Sequence, residues 1–194
     1  INQKKDWRNC LQMKSSDLRR ALSNSQQYQP SEDTFFLADN IQNEIGTSAL
    51  DIGTGSGFLA DLLCKNFSFV VATELSFSVL VNRSYRIQNV VCCNGADALD
   101  YKFDLIVCNM PYLATNNIDD IATDGGIDGT EVPTKIIRSA RSCLKDSGKF
   151  LFVTSSLSNY KKLIEQAKLE GLNAKILSRK KLFFEELILV CAQN

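Results

Sequence analysis

Short apolar segments alternate with helical patterns from residue 48 onward. The apolar segments are rich in Val, Ile, Leu and Phe, which is typical of strands buried on both faces. They cover residues 48–52, 69–73, 90–93, 103–108 and 149–154. Apolar residues at helical spacing predict helices over residues 58–65, 77–88, 134–144 and 158–170. This alternation predicts a doubly wound α/β fold with a parallel sheet.

The alternation stops after Gly171. Two further apolar segments, residues 174–178 and 186–191, are separated by the basic stretch Arg179-Lys180-Lys181 and by no helical pattern. Strands joined without a helix pair in antiparallel orientation. The sequence therefore predicts a parallel sheet that ends in an antiparallel pair.

The composition favours one domain in a cytoplasmic protein. A chain of 194 residues, 44% of them hydrophobic, is long enough for one sizeable core. Residues 1–27 lack clear periodicity and are predicted to form an N-terminal arm without an assigned role, ahead of a domain over 28–194. No apolar run is long enough to span a membrane, and the polar start does not resemble a signal peptide. We therefore expect a soluble protein without membrane contact.

Two features of the composition narrow the chemistry. The chain contains no histidine, which excludes Ser-His-Asp and Cys-His mechanisms and removes the commonest metal ligand, so no metal site is expected. The net charge is zero, but residues 32–133 contain 15 acidic and 4 basic residues. Because nucleic-acid binding depends on neutralising phosphates, this acidic centre argues against a nucleic-acid substrate.

A glycine-rich turn follows the first predicted strand, where residues 49–57 read Ala-Leu-Asp-Ile-Gly-Thr-Gly-Ser-Gly. A dinucleotide fingerprint would need glycine in place of Phe58, and a pyrophosphate would be repelled by Asp51. The Asp51 carboxylate is instead suited to an amino-acid ammonium group, which S-adenosylmethionine carries. The predicted cofactor contacts in this turn are Asp51, Gly53, Thr54, Gly55 and Gly57.

The next two predicted strands also end at acidic residues. Glu74 follows the second strand and is suited to accept hydrogen bonds from both ribose hydroxyls. Asp97 follows the third and is placed to accept a hydrogen bond from an adenine amino group. Open α/β sheets bind ligands at this carboxyl edge, so we predict a cofactor pocket that includes the neighbours Leu75 and Ala98.

The fourth predicted strand leads into Asn109-Met110-Pro111-Tyr112. An amide or aromatic amine nitrogen is a poor nucleophile and attacks a methylsulfonium only when it is held in line and desolvated. The Asn109 side-chain oxygen and the Met110 carbonyl can each accept one N–H hydrogen bond, while Pro111 fixes the turn and Tyr112 offers an aromatic face. The tetrapeptide alone does not distinguish glutamine from adenine.

These two motifs together resemble those of class I methyltransferases of the amino-group type. Residues 29–36, Gln-Pro-Ser-Glu-Asp-Thr-Phe-Phe, also resemble an element of the HemK-like glutamine methyltransferases of archaea and eukaryotes, and residues 125–132 resemble the family's glycine-rich loop. The resemblance implies that Glu32 and Thr34 contact the cofactor, as does Asn109. Met110 departs from the family, which usually has proline there.

The resemblance further implies a seven-stranded sheet in the order 3-2-1-4-5-7-6 with the last strand antiparallel. It implies S-adenosyl-L-methionine as cofactor, with S-adenosyl-L-homocysteine as product. The implied substrate is the glutamine amide in the Gly-Gly-Gln motif of a class-one translation release factor. The implied partner is a small zinc-binding activator protein that forms a heterodimer with the enzyme.

Four other interpretations remain open from the sequence. The tetrapeptide also serves N6-adenine methylation of DNA or RNA, although no target-recognition domain fits in this length. Protein lysine methylation requires a base, and no histidine is available. A scaffold subunit that binds S-adenosylmethionine without catalysis would not need the intact tetrapeptide, and a dehydrogenase is opposed by Phe58 and Asp51.

Overall fold

The structure, a computed structural model, describes residues 30–85 and 87–194. The predicted N-terminal arm, residues 1–27, lies outside the described residues. The strands are β1 Gly46–Ile52, β2 Phe67–Glu74, β3 Asn89–Cys92, β4 Phe103–Asn109, β5 Leu113–Ala114, β6 Asp124–Gly126, β7 Leu144–Ser155, β8 Asn173–Lys181 and β9 Glu186–Gln193. The α-helices are α1 Glu32–Ile41, α2 Phe58–Leu63, α3 Phe77–Asn82, α4 Glu131–Ser142 and α5 Tyr160–Leu169.

Seven of the strands form one sheet in the order β3-β2-β1-β4-β7-β9-β8. Strands β3, β2, β1, β4 and β7 are parallel, while β9 runs antiparallel to both β7 and β8. When the short pair β5–β6 is set aside, this order is the predicted 3-2-1-4-5-7-6 with the last strand antiparallel. The fold prediction is confirmed.

Helices cover both faces of the sheet, which explains the continuous apolar strands. On β7, Phe150 and Phe152 pack with residues of α4 and α5, whereas Leu151 and Val153 pack with residues of α1 and α2. Alternate residues of a strand point to opposite faces, so one strand contributes to both cores. Truncating either phenylalanine to alanine is expected to cost about 3–5 kcal/mol of stability.

All four predicted helices have somewhat different limits in the structure, and two of the differences have a clear cause. The helix predicted over residues 77–88 ends at Asn82, because the Arg83 guanidinium donates hydrogen bonds to the carbonyls of Leu80 and Ile87 and stabilises an irregular turn instead. The helix predicted over 134–144 is α4, which begins at Glu131 and ends at Ser142. Proline is tolerated in a first turn, so Pro133 does not delay the start.

The predicted strands differ from the observed strands mainly in length. β8 continues through the basic stretch that the sequence assigned to a connection, and its last residue, Lys181, pairs with Glu186. Charged side chains are common on edge strands, which β8 is. Helix α1 was not predicted as a helix, although its buried Phe36, Leu37 and Ile41 lie at helical spacing.

Candidate functional site

A cavity of about 500 Å³ lies at the carboxyl edge of the sheet. Its walls come from the turn after β1, the end of β2, the loop after β3, the end of β4 and the loop that precedes β6, together with residues of helices α1 to α4. Strand ends and helices thus meet in a single cavity, as expected for a doubly wound sheet. The sequence-predicted residues that line it are Thr34, Gly53, Thr54, Gly55, Glu74, Leu75, Asn109 and Pro111.

The glycine-rich turn is open toward the cavity at Gly53. The residue has φ of 71°, a conformation that favours glycine, and a Cβ placed there would meet no atom within 4 Å. Gly57 is buried and lies outside the cavity lining. A ligand can thus approach the backbone closely at the start of the turn.

Asp51 lies fully buried behind the turn and has an unsatisfied oxygen. Thr54 Oγ1 donates a hydrogen bond to Oδ2 at 2.7 Å, whereas Oδ1 has no partner among the described residues. Burial disfavours the charged form and raises the pKa of the Asp51 carboxyl to about 7, against the opposing hydrogen bond from Thr54. A buried acceptor without a donor is costly, so this carboxyl is suited to a ligand ammonium group or a bound water.

Glu74 is held by the backbone at the end of β2. Oε2 accepts the Gly55 N–H at 3.1 Å and Oε1 accepts the Ser76 N–H at 3.0 Å. Each carboxylate oxygen retains a lone pair after these bonds. The fixed carboxylate can therefore accept one hydrogen bond from each of two ribose hydroxyls.

The loop after β3 departs from the predicted arrangement. Asp97 and Ala98 are exposed and lie outside the cavity lining, which here consists of Cys93, Asn94 and Gly95. The Asp97 N–H donates to the Asn94 carbonyl at 3.1 Å, and this tight turn carries Asp97 past the cavity. The sequence analysis did not predict these three lining residues. Their position directly after a predicted strand could have indicated them.

Asn109 is the last residue of β4, and one of the two polar atoms of its carboxamide has no hydrogen-bond partner among the described residues. Nδ2 donates to Thr34 Oγ1 at 3.3 Å, while Oδ1 is buried and without a hydrogen-bond partner in the described ranges. Met110 is buried behind the cavity, and its N–H donates to the Val153 carbonyl at 3.3 Å. The hydrogen bond to Thr34 orients the carboxamide so that its oxygen is the atom left without a partner.

Tyr112 is anchored to helix α1 and does not line the cavity. Its hydroxyl donates to Asp33 Oδ2 at 3.4 Å, and the buried Asp33 also accepts the Thr34 N–H at 2.6 Å. The first turn of α1 thus holds both ends of the tetrapeptide. Glu32, predicted to contact the cofactor, is exposed outside the lining and pairs with Lys180 at 2.6 Å.

The loop of residues 125–129 packs directly on the tetrapeptide. A Cβ on Gly129 would lie 2.1 Å from the Tyr112 carbonyl oxygen, and one on Gly125 would lie 2.8 Å from the Pro111 carbonyl oxygen. Only glycine permits backbones to approach so closely. The glycine-rich loop therefore packs against the backbone carbonyls of Pro111 and Tyr112.

An acidic rim that the sequence analysis did not single out borders the cavity. Asp119 and Asp120 line it, and their N–H groups both donate to Asp124 Oδ2 at 2.9 Å. These bonds, led by that from Asp120, lower the pKa of the Asp124 carboxyl. The buried Asp124 thus fixes a loop whose own carboxylates are exposed.

The cavity fits S-adenosylmethionine. It offers a fixed carboxylate at Glu74 for ribose hydroxyls and an open backbone at Gly53. Asp51, predicted to bind the ammonium group, is fully buried behind the glycine-rich turn and does not line the cavity, although one of its oxygens has no hydrogen-bond partner among the described residues. Within the part of the chain that the structure describes, no three Cys, Asp or Glu residues are grouped as metal ligands would be. No helix in the same ranges has the length and apolar character needed to cross a bilayer.

Comparisons with known proteins identify related methyltransferases. Residues 29–175 match the family described as Methyltransferase small domain. A Methanocaldococcus jannaschii protein named "Putative protein N5-glutamine methyltransferase" is 31% identical over 179 residues, which cover 85% of this chain and 90% of that protein. Methyltransferase HEMK2 of Mus musculus is 29% identical over 170 residues, which cover 75% and 79% respectively.

A solved structure extends the similarity to three dimensions. The structure of the E. cuniculi Mtq2-Trm112 complex, described as responsible for methylation of the eRF1 translation termination factor, contains a chain that aligns with a TM-score of 0.73. The two chains are 25% identical, and the alignment covers 86% of this chain and 98% of the other. The chain belongs to the Methyltransferase small domain family and, with these HemK-like relatives, is an S-adenosylmethionine-dependent methyltransferase.

Proposed function

We propose that this enzyme methylates the side-chain amide nitrogen of a protein glutamine, namely that of the Gly-Gly-Gln motif in a class-one translation release factor. One observation carries the proposal. Asn109 lines the cavity with its Nδ2 engaged by Thr34, while its buried Oδ1 has no hydrogen-bond partner among residues 30–85 and 87–194. A fixed acceptor at this position is suited to the N–H of a planar carboxamide.

The chemistry of an amide explains why such an acceptor is needed. The nitrogen lone pair is delocalised, so the group reacts only when it is held and desolvated. S-adenosylmethionine supplies an electrophilic methyl group on a sulfonium when it is bound. In our proposal Asn109 Oδ1 and the Met110 carbonyl each accept one N–H hydrogen bond, and both strengthen as positive charge develops on the nitrogen. The methylated nitrogen then releases its proton to water, since the chain has no histidine.

The relatives support glutamine over adenine. The M. jannaschii relative carries protein N5-glutamine methyltransferase in its name, and the E. cuniculi complex is described as methylating eRF1. The cavity rim agrees, because the exposed carboxylates of Asp119 and Asp120 would repel the phosphates of a nucleic acid. Action on a translation factor would place the enzyme in the cytoplasm.

Transfer of labelled methyl groups tests the substrate. The enzyme is incubated with labelled cofactor and either a class-one release factor, its Gly-Gly-Gln→Gly-Gly-Ala variant or duplex DNA. We expect labelling of the unaltered factor alone. Equal labelling of the alanine variant would contradict the glutamine assignment, and labelling of DNA would favour adenine.

We also propose a small zinc-binding activator protein as partner, bound along β3. This strand lies at the edge of the sheet, and its Val90 and Val91 are only half-buried. Beside it, the exposed rings of Phe69 and Tyr101 contact each other at 5.2 Å. An open strand edge beside exposed aromatic rings is suited to pairing with another chain.

Co-purification tests this partner. The tagged enzyme is recovered from its own cells, and the zinc content and mass of any bound small protein are measured. We expect Tyr101→Glu to release that protein and Leu169→Glu, at the exposed end of α5 beside the opposite edge strand β8, to retain it. Recovery that is equal for both variants would remove β3 as the binding edge.

A further inference from the structure

The turn between β8 and β9 carries the two most exposed large apolar side chains of the described residues. Phe183 is 92% exposed and Phe184 is 85% exposed. Their rings contact each other edge to face, with centroids 4.6 Å apart. Nothing in the proposed catalytic chemistry uses this pair.

The turn is held firmly at its base. The Leu182 N–H donates to the Glu185 carbonyl at 2.8 Å, and the Glu185 carboxylate accepts a hydrogen bond from the Ser155 hydroxyl. The Ser156 N–H donates to the Glu186 carbonyl at 2.9 Å. Because both flanking strands are also paired in the sheet, the two rings are presented to solvent by an ordered hairpin.

The hairpin tip lies on the catalytic edge of the sheet. Asn109 pairs with Val153 on β7, and Val153 pairs with Leu189 on β9. Neighbouring strands are about 4.8 Å apart, so β9 lies roughly 10 Å across the sheet from β4. The ion pair between Lys180 and Glu32 further joins the hairpin to helix α1, whose Thr34 lines the cavity.

The charge around the rings differs from that of the cavity rim. Arg179 pairs with Glu186 and Lys180 pairs with Glu32, whereas Lys181 forms no ion pair with any described residue. Glu185, next to Phe184, also forms no ion pair with a described residue and accepts from the neutral Ser155 hydroxyl. The rings therefore lie between an unpaired cation, Lys181, and a carboxylate, Glu185. A surface that complements the rings and Lys181 is apolar with a carboxylate on the β8 side.

The area of the pair limits what can bind there. Two phenylalanine side chains at these exposures offer roughly 350 Å². A stable interface between two copies of the chain would need about 800 Å² from each partner. The pair is thus too small for a dimer but sufficient to strengthen a contact with a protein that is also held in the cavity.

We propose that Phe183 and Phe184 dock an apolar patch of the methyl-accepting protein, outside the segment that enters the cavity, with an acidic side chain of that protein facing Lys181. This inference rests on the proposed function, since it requires a folded protein as substrate. The docked patch would add binding energy without touching the reacting nitrogen. It would therefore act on KM for the intact protein.

Steady-state kinetics with two substrates test the proposal. The variant Phe183→Ser/Phe184→Ser is compared with the unaltered enzyme on the intact release factor and on a short peptide that spans Gly-Gly-Gln. We expect KM for the intact factor to rise about tenfold, as for the loss of a small interface hot spot, with kcat unchanged. The values for the peptide and the affinity for S-adenosylhomocysteine should not change.

Two further variants make the test specific. Ile45 is 80% exposed but precedes β1, on the edge of the sheet away from the cavity, so Ile45→Ser controls for the loss of surface apolar area and should leave KM unchanged. Lys181→Glu should raise KM for the intact factor, less so at high salt. An unchanged KM in the double phenylalanine variant, or an equal loss with the peptide, would overturn the docking proposal. If the unaltered enzyme does not methylate the factor, the proposed function itself fails.

Discussion

The hydrogen bond between Thr34 and Asn109 provides the sharpest test of the site. Thr34→Val keeps the shape of the side chain but removes the hydroxyl that accepts from Asn109 Nδ2 at 3.3 Å. A neutral hydrogen bond of this kind is worth about 0.5–1.5 kcal/mol. Without it the carboxamide is free to turn over and present its NH₂ group, a donor, toward the substrate nitrogen.

The expected magnitude follows from that change. Loss of the bond together with partial inversion of the carboxamide should cost about 1–3 kcal/mol of transition-state stabilisation, which lowers kcat roughly 5- to 150-fold. Binding of S-adenosylhomocysteine and the melting temperature should change little, because Thr34 acts through Asn109 in this interpretation. Thr34→Ser keeps the hydroxyl and should restore most of the rate.

The assay is therefore a comparison of kcat, cofactor affinity and melting temperature across Thr34→Val and Thr34→Ser. The sequence analysis expected Thr34 to contact the cofactor, and the structure adds its bond to Asn109. A loss of cofactor affinity as large as the loss of kcat would favour direct cofactor contact. A kcat that stays within twofold in Thr34→Val would refute the orienting role.

Three more predictions concern the same cavity. Asn109→Ala should lower transfer by about 100-fold or more while calorimetry shows nearly unchanged cofactor binding, because Asn109 is proposed to hold the nucleophile; lost binding would reassign it. Because the pKa of Asp51 is raised to about 7, its carboxylate forms only as pH rises, so calorimetry should show cofactor affinity increasing about tenfold from pH 6 to 8, and Asp51→Asn should abolish this dependence. The same raised pKa stabilises the ligand-free fold at low pH, and up to about 4 kcal/mol of this stability is lost as pH rises from about 4 to 7. Denaturant titration of the unaltered enzyme and of Asp51→Asn measures this loss. Gly129→Ala would place a Cβ 2.1 Å from the Tyr112 carbonyl and should lower the melting temperature well beyond Gly171→Ala, where φ is also positive but no atom lies within 4 Å; equal losses would show that only backbone strain matters.

The sheet was predictable because its signals are local and repeated. Each parallel strand is a continuous apolar segment that ends at a turn or a polar residue, so the strands and their carboxyl edge followed from the residues themselves. The strand order followed from the resemblance to class I methyltransferases. The limits were harder to predict because tertiary contacts decide them. Arg83 ends a helix by bonding two carbonyls, and Lys181 extends a strand by pairing with Glu186.

In the site, too, residues with a local sequence signal were predictable and residues placed by tertiary contacts were not. Glu74 and Asn109 are the last residues of their strands, and both line the cavity. Asp97 lies five residues beyond the end of β3, where the turn at Asn94 decides its direction and the sequence does not reveal that turn. The bond between Asp33 and Tyr112 joins residues 79 positions apart, which no local pattern could predict.

The first turn of α1 imposes a constraint on length as well as on residue type. Glu32, Asp33 and Thr34 are consecutive, and each bonds a different element: the β8 strand, the end of the tetrapeptide and its beginning. An α-helix advances about 100° per residue, so one residue inserted among the three would turn at least one of these side chains away from its partner. Sequence drift at this turn should therefore proceed by substitution, while insertions and deletions are excluded.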